Sequence, residues 1–75
     1  MTSQRSKQFL LKTLGQRIKN LRKEKKMSQY VVAKKCNMDF GSYSNIENGK
    51  RNVTVFTLQR IIKVLKVPFR ELFNF

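Results

Sequence analysis

The chain predicts an all-α fold of five short helices with no sheet. Apolar residues recur at helical spacing: Leu10, Leu14, Ile18 and Leu21 at intervals of four, four and three, then Val55, Leu58, Ile61, Ile62 and Leu65. Residues suited to helix ends punctuate these stripes. Ser28, Asp39 and Thr54 stand where N-caps belong, Gly49 where a helix must stop, and Pro68 before the last segment. No linker, repeat or low-complexity tract divides the 75 residues, so 1–75 reads as one domain, with residues 1–6 polar and loose.

The first helix is expected from about residue 7 or 13 to residue 26. With the later start, Thr13 and Gln16 form a capping box; with the earlier one, Phe9 and Leu10 are already helical. Its last turn, RKEKK, sets cations at the negative end of the helix dipole. The second helix runs from the Ser28 cap through Cys36, with Val32, Ala33 and Cys36 inward. Asn37 then makes the turn, since asparagine tolerates the left-handed conformation. The third spans about 39–48, with Tyr43 and Ile46 inward, Met38 sealing the turn before it and Gly49 ending it. Thr54 caps the fourth. Pro68 stops that helix and opens a fifth, PFRELF.

The net charge is +13, from 17 Lys+Arg against 4 Asp+Glu, which raises affinity for polyanions. No apolar run approaches the roughly 18 residues of a membrane span. The start, MTSQRSKQFLLK, is not a secretory signal. With one cysteine and no histidine there is neither an internal disulfide nor a Cys/His metal cluster, and the usual catalytic bases are missing. No enzyme, cofactor, metal or small-molecule ligand is implied, and the expected setting is the reducing cytoplasm. A chain of this size buries only about 60% of its unfolded surface, which favours a partner subunit.

Residues 28–52 carry the most information: two short helices joined by a tight turn, then Gly49, Lys50 and Arg51. Within the second of them, Phe40, Gly41, Ser44, Asn45 and Asn48 fall on one side, while Tyr43, Ile46 and Glu47 fall on the other. A helix with one packed side and one short, polar side fits the DNA major groove, where base edges carry a distinguishable donor and acceptor pattern.

On these residues the chain resembles the lambda-repressor/Cro-like helix-turn-helix family, also called the xenobiotic-response-element family. The resemblance rests on LGQRIKNLRKEKKMSQ, the Val32–Ala33 pair, SNIENGKRNVT, TLQRIIKVLKV and ELF, and covers residues 14–73. It implies a five-helix lambda-repressor-like domain with its motif at about 28–49. It implies a sequence-specific regulator of transcription that binds double-stranded DNA as a homodimer, placing helix 39–48 in the major groove. Carried over by position, Phe40, Gly41, Ser44 and Asn45 are the base-reading residues. Gln29, Asn48, Lys50 and Arg51 are the phosphate-binding ones, and Arg22 pairs with Glu47 in a partly buried salt bridge. Phage repressors of this family often carry glutamine pairs where Phe40 and Gly41 stand here, and restriction–modification controllers often carry arginine at the Phe40 position. Neither Phe40 nor Gly41 makes a bidentate base contact. Phe40 suits a thymine methyl and Asn45 the N6 and N7 of adenine. The RNVT stretch and small size suit a restriction–modification controller and an antitoxin-type autorepressor equally well.

Several of these residues also have plain structural readings. Glu47 would repel phosphate at a DNA surface, so it reads as structural; Cys36 reads as a small buried apolar residue; Tyr43 reads as core, with its hydroxyl reaching solvent or a phosphate. Phe69 and Leu72 close the core. Phe73 and Phe75, with Phe56 as a further candidate, are surplus for so small a domain, and the C-terminal helix and its flank, through Phe69, Phe73 and Phe75, are expected to form a two-fold dimer interface. The rival reading uses those same aromatics as a protein-interaction or antitoxin surface.

Overall fold

The computed structural model describes residues 4–74, and those residues form helices only. In order they are α1 (Gln4–Glu24), α2 (Gln29–Lys35), α3 (Phe40–Glu47), α4 (Val55–Leu65) and a 3-10 helix (Phe69–Phe73). The expected fifth α-helix is therefore this 3-10 segment, and the α-helices among the described residues number four. The segment's Glu71 N–H bonds three residues back to the Pro68 carbonyl, and the Glu71 carbonyl that would extend an α-helix accepts instead from Arg17 Nε at 2.6 Å.

Helix α1 starts earlier than expected. Residues 4–6 are helical rather than loose, and residues 1–3 lie outside the described residues. Thr13 and Gln16 form no capping box because both are mid-helix: the Thr13 hydroxyl donates to the Phe9 carbonyl at 2.8 Å and the Gln16 amide to Asn20 Oδ1 at 2.9 Å. The extra N-terminal turns overrun the core, so Leu10 is exposed. The buried stripe is Ile18 and Leu21, with Leu14 partly buried against it.

The three expected N-caps operate. Ser28 Oγ accepts from the Val31 N–H, Asp39 Oδ2 from the Ser42 N–H, and Thr54 Oγ1 from the Thr57 N–H. The Ser42 hydroxyl also donates to Asp39 Oδ1, and these two bonds hold the Asp39 carboxyl below its ordinary range.

Each α-helix ends on a left-handed residue: Lys26, Asn37, Gly49 and Lys66. Two of these are lysines, for which the conformation costs about 1–2 kcal/mol. The residue that follows explains the tolerance. Met27, Met38 and Val67 pack onto the core, and their N–H groups return to the carbonyls of Arg22, Ala33 and Ile62.

The core gathers Ile18, Leu21, Val32, Ala33, Cys36, Tyr43, Ile46, Leu58, Ile61, Ile62, Leu65 and Leu72. Burial pushes the Cys36 thiol up, against a smaller opposing pull from Arg60. Val55, expected inside, is exposed; it is the first residue of α4, and Val53 packs against the core instead. Arg60 fastens α4 to the end of α2, donating through Nη2 to the Cys36 carbonyl at 2.6 Å. Arg17 Nη2 pairs with Glu71 Oε1 at 2.6 Å and ties the 3-10 segment to α1. Among the described residues no helix is long and apolar enough to cross a membrane.

Candidate nucleic-acid interface

Helix α3 is held from behind by α1. A Cβ on Gly15 would collide with the carbonyl oxygens of Ile46 and Glu47, so only glycine lets α1 approach the end of α3 so closely. Next to that crossing lies a buried polar cluster. Arg22 Nε donates to Glu47 Oε2 at 2.7 Å and Arg22 Nη2 to Glu47 Oε1 at 3.1 Å. The Tyr43 hydroxyl donates to Oε2 at 2.5 Å and the Gln29 amide to Oε1 at 2.8 Å. Arg22 Nη1 also caps the Met27 carbonyl at 2.8 Å. One carboxylate thus joins α1, α2 and α3.

The charges respond accordingly. Burial alone would raise the Glu47 carboxyl, but donation by Arg22, Tyr43 and Gln29 outweighs it and holds the group below its usual range. The bond to Glu47 raises the Arg22 guanidinium against the opposing effect of burial. Burial first, and the bond to Glu47 second, push the Tyr43 phenol far above its ordinary value. Its hydroxyl does not, as the sequence allowed, reach solvent or a phosphate. Tyr43 is fully buried and its hydroxyl is bonded to Glu47.

The opposite face of α3 is open. Phe40 is 49% exposed, Gly41, Asn45 and Asn48 are exposed, and Ser44 is half-buried. A Cβ on Gly41 would meet only Asp39 Oδ2, at an ordinary 3.5 Å. Packing therefore does not require glycine there. Past α3, Gly49 lies in the left-handed region at φ 70°. Its N–H and that of Lys50 return to the Ile46 and Asn45 carbonyls, which closes the helix and turns Lys50 and Arg51 out into solvent.

The structure thus brings Phe40, Gly41, Ser44, Asn45 and Asn48 onto one surface, with Lys50 and Arg51 at its end. Gln29 sits at the start of α2, half-buried, with its amide nitrogen already engaged by Glu47. Phe69 and Phe73 lie apart from this surface as a partly exposed ring pair, centroids 5.4 Å apart; Phe75 lies outside the described residues. Sequence reasoning missed Gly15, Arg17 and Arg60. Gly15 alone left a trace, since a glycine inside a helical stripe costs about 1 kcal/mol and so points to a close approach. It also missed the spacing of Tyr43 and Glu47, one helical turn apart, which permits their bond.

Comparison with known proteins agrees with this geometry. A helix-turn-helix family model matches residues 18–72. Control protein C.MunI of a Mycoplasma species is 44% identical over 61 residues, spanning 80% of this chain and 82% of that protein. The crystal structure of the restriction-modification controller protein C.AhdI from Aeromonas hydrophila is similar with a TM-score of 0.80 and 32% identity, covering 83% of this chain and 94% of that one. Wild-type C.Esp1396I, another restriction-modification controller, is similar with a TM-score of 0.79 and 38% identity over 88% of this chain and 90% of its own. The chain belongs to the helix-turn-helix family.

Proposed function

We propose that the protein is a transcriptional regulator of the restriction–modification controller type, which binds operator DNA as a homodimer in the cytoplasm. The observation that carries this reading is the exposed face of α3. Its side chains are short or flat, free of internal hydrogen bonds among the described residues, and backed by a buried ionic cluster that fixes the helix. In the proposed complex α3 enters the major groove. Asn45 bonds an adenine edge, Phe40 packs on a thymine methyl, and Ser44 adds a further polar contact. Gly41 lets the backbone come close. Asn48, Lys50, Arg51 and the start of α2 at Gln29 hold phosphates. With about four phosphates neutralised per protomer, the binding constant falls with salt with a log–log slope on the order of −7 for the dimer.

The dimer surface in this reading is built on Phe69 and Phe73, continued by Val55 and Ile62 along a shallow groove. Phe75 is proposed as part of it from sequence alone. The same aromatics motivate a protein-partner reading. The control-protein relatives favour the DNA reading.

The test is selection of bound sequences from a random duplex pool at physiological salt, followed by Asn45→Ala on the winning site. An enriched inverted repeat is expected, with Asn45→Ala costing about 1–3 kcal/mol in specific binding and leaving the fold intact. Binding without enrichment, or an Asn45→Ala variant that binds the site as tightly as the parent, overturns the proposal.

A further inference from the structure

Beside the recognition helix lies an open cleft of about 500 Å³, of which the function above uses only Lys50 and Arg51. One wall is α1, through Lys7, Gln8, Leu11 and Lys12; the other is the loop after α3, through Gly49, Lys50, Arg51 and Asn52. The α1 residues stand at offsets zero, one, four and five, which is one face of a helix. The cleft therefore gathers four cations and two amide side chains with no acid in its lining. None of the four cations belongs to an ion pair among the described residues. Asp39, which senses the charge of Arg51 weakly, has its own oxygens bonded to Ser42.

The two walls are fixed to each other by Gly49. A Cβ there would lie 2.7 Å from Lys12 Cα, so the loop backbone rests directly on the α1 backbone. This close approach places Lys12, and Lys7 about a turn and a half before it, along the same cleft as Lys50 and Arg51.

We propose that this cleft is a phosphate clamp, which takes consecutive backbone phosphates of duplex DNA flanking the half-site read by α3. The inference rests on the DNA-binding reading and extends it to α1, a helix outside the helix-turn-helix motif. Convergent positive charge without an acid creates a local field that favours a polyanion. A duplex offers one negative charge about every 1.7 Å along its axis. Gln8 and Asn52 supply neutral donors of the kind that fix register on phosphate oxygens. The loop that forms the cleft begins at the C-terminus of α3, so a strand held by Asn48 continues into it. Lys7 and Lys12 then contribute affinity and register without reading bases.

The experiment uses the full chain and the operator found by selection, with Lys7→Gln/Lys12→Gln compared against Lys63→Gln/Lys66→Gln. Both double variants remove the same net charge. Only the first touches the cleft, and glutamine keeps nearly the same helix propensity. Thermal melts establish that both fold. The expected result is that Lys7→Gln/Lys12→Gln weakens specific and nonspecific binding by the same factor. It also flattens the salt slope by about 0.9 for each phosphate left without its cation, roughly 1.8 per protomer. The Lys63→Gln/Lys66→Gln control changes little. Trimming the base pairs that flank the operator weakens the parent protein but leaves the cleft variant unchanged. Equal losses in the two double variants, an unaltered slope in the cleft variant, or trimming that weakens parent and variant alike each overturn the clamp. If the parent itself shows no salt-dependent affinity for any duplex, the DNA-binding reading fails, and the clamp with it. That outcome is distinguishable from failure of the clamp alone.

Discussion

Replacing Glu47 by alanine removes the one carboxylate on which three helices converge. Its side chain is fully buried and that of Arg22 is 9% exposed, so the guanidinium loses its counter-charge where water cannot replace it. Breaking a buried pair on one side costs about 3–5 kcal/mol. The individual bonds show where the loss falls. Gln29 is half-buried and regains water, and Arg22 keeps its bond to the Met27 carbonyl. Tyr43 is fully buried and its hydroxyl is left without an acceptor, at about 1–3 kcal/mol. A total near 4 kcal/mol is a large fraction of the roughly 4–11 kcal/mol expected for a chain of this size. At about 4–8 °C per kcal/mol, the melting temperature falls on the order of 20 °C. Thermal and urea unfolding followed by circular dichroism read this directly.

The companion variant Arg22→Met/Glu47→Leu separates pairing from packing. With both charges gone, the part of the loss due to the unpaired guanidinium returns, because an apolar pair of similar volume needs no solvation, while the Tyr43 hydroxyl stays without an acceptor. The depressed Glu47 carboxyl adds a pH signature. Its stabilisation is present above the unfolded value near pH 4.3 and is lost as pH falls through the lower folded value. Glu47→Ala lacks that part of the acid sensitivity, while the Asp39 part, which has the same sign, remains. A Glu47→Ala loss below about 1 kcal/mol, or a double variant as unstable as the single one, would refute the reasoning.

Three further outcomes are expected. Gly41→Ala raises stability by up to about 1 kcal/mol, because the fold has room for the methyl group and alanine favours the helix, yet it weakens operator binding by closing the approach to DNA; paired melting and binding measurements check both directions. The Tyr43 component of stability falls by about 1.4 kcal/mol per pH unit above pH 10, because the unfolded chain ionises Tyr43 while the folded one keeps the phenol neutral, and the buried Cys36 thiol adds a loss of the same sign; the difference between denaturant titrations of the parent and of Tyr43→Phe, which lacks the first component, tests it. Phe73→Ser raises the dimer dissociation constant about 30-fold. The ring is 48% exposed in the monomer, so each protomer forfeits about 1 kcal/mol of burial; sedimentation equilibrium reads the change, and an unchanged constant removes Phe73 from the interface.

The elements legible in the sequence were those set by local chemistry. Ser28, Asp39 and Thr54 each cap a helix because a short oxygen-bearing side chain competes for the first free N–H groups, a rule that acts within a few residues. The exposed face of α3 was legible for the same reason, since helical periodicity alone decides which residues share a side. Contacts between distant segments were not. Nothing near Arg17 announces Glu71, 54 positions away, and nothing near Arg60 announces the Cys36 carbonyl. The start of α1 was misplaced because the stripe through Leu10 continues past the core without changing period. Lys26 and Lys66 were invisible as left-handed residues because the apolar neighbour that follows supplies the compensation.

The three glycines show where the boundary between local and tertiary causes falls. Gly49 is doubly constrained, by its positive φ and by Lys12 against its α-carbon, and only the first is local enough to be anticipated from its place after a helix. Gly15 has ordinary helical geometry, so its reason is wholly tertiary: α1 crosses the end of α3 backbone to backbone, and the ionic cluster of Arg22 and Glu47 lies beside that crossing. Gly41 has neither reason within the protein. A residue that helix propensity disfavours, that packing does not need and that lies on the exposed face of α3 points outward for its cause. The same logic joins the rigid back of α3 to its open front. Gly15 and Glu47 fix the helix from behind, Gly49 sets the cation pair and the α1 lysines at its end, and Gly41 leaves the front clear for a closely approaching partner.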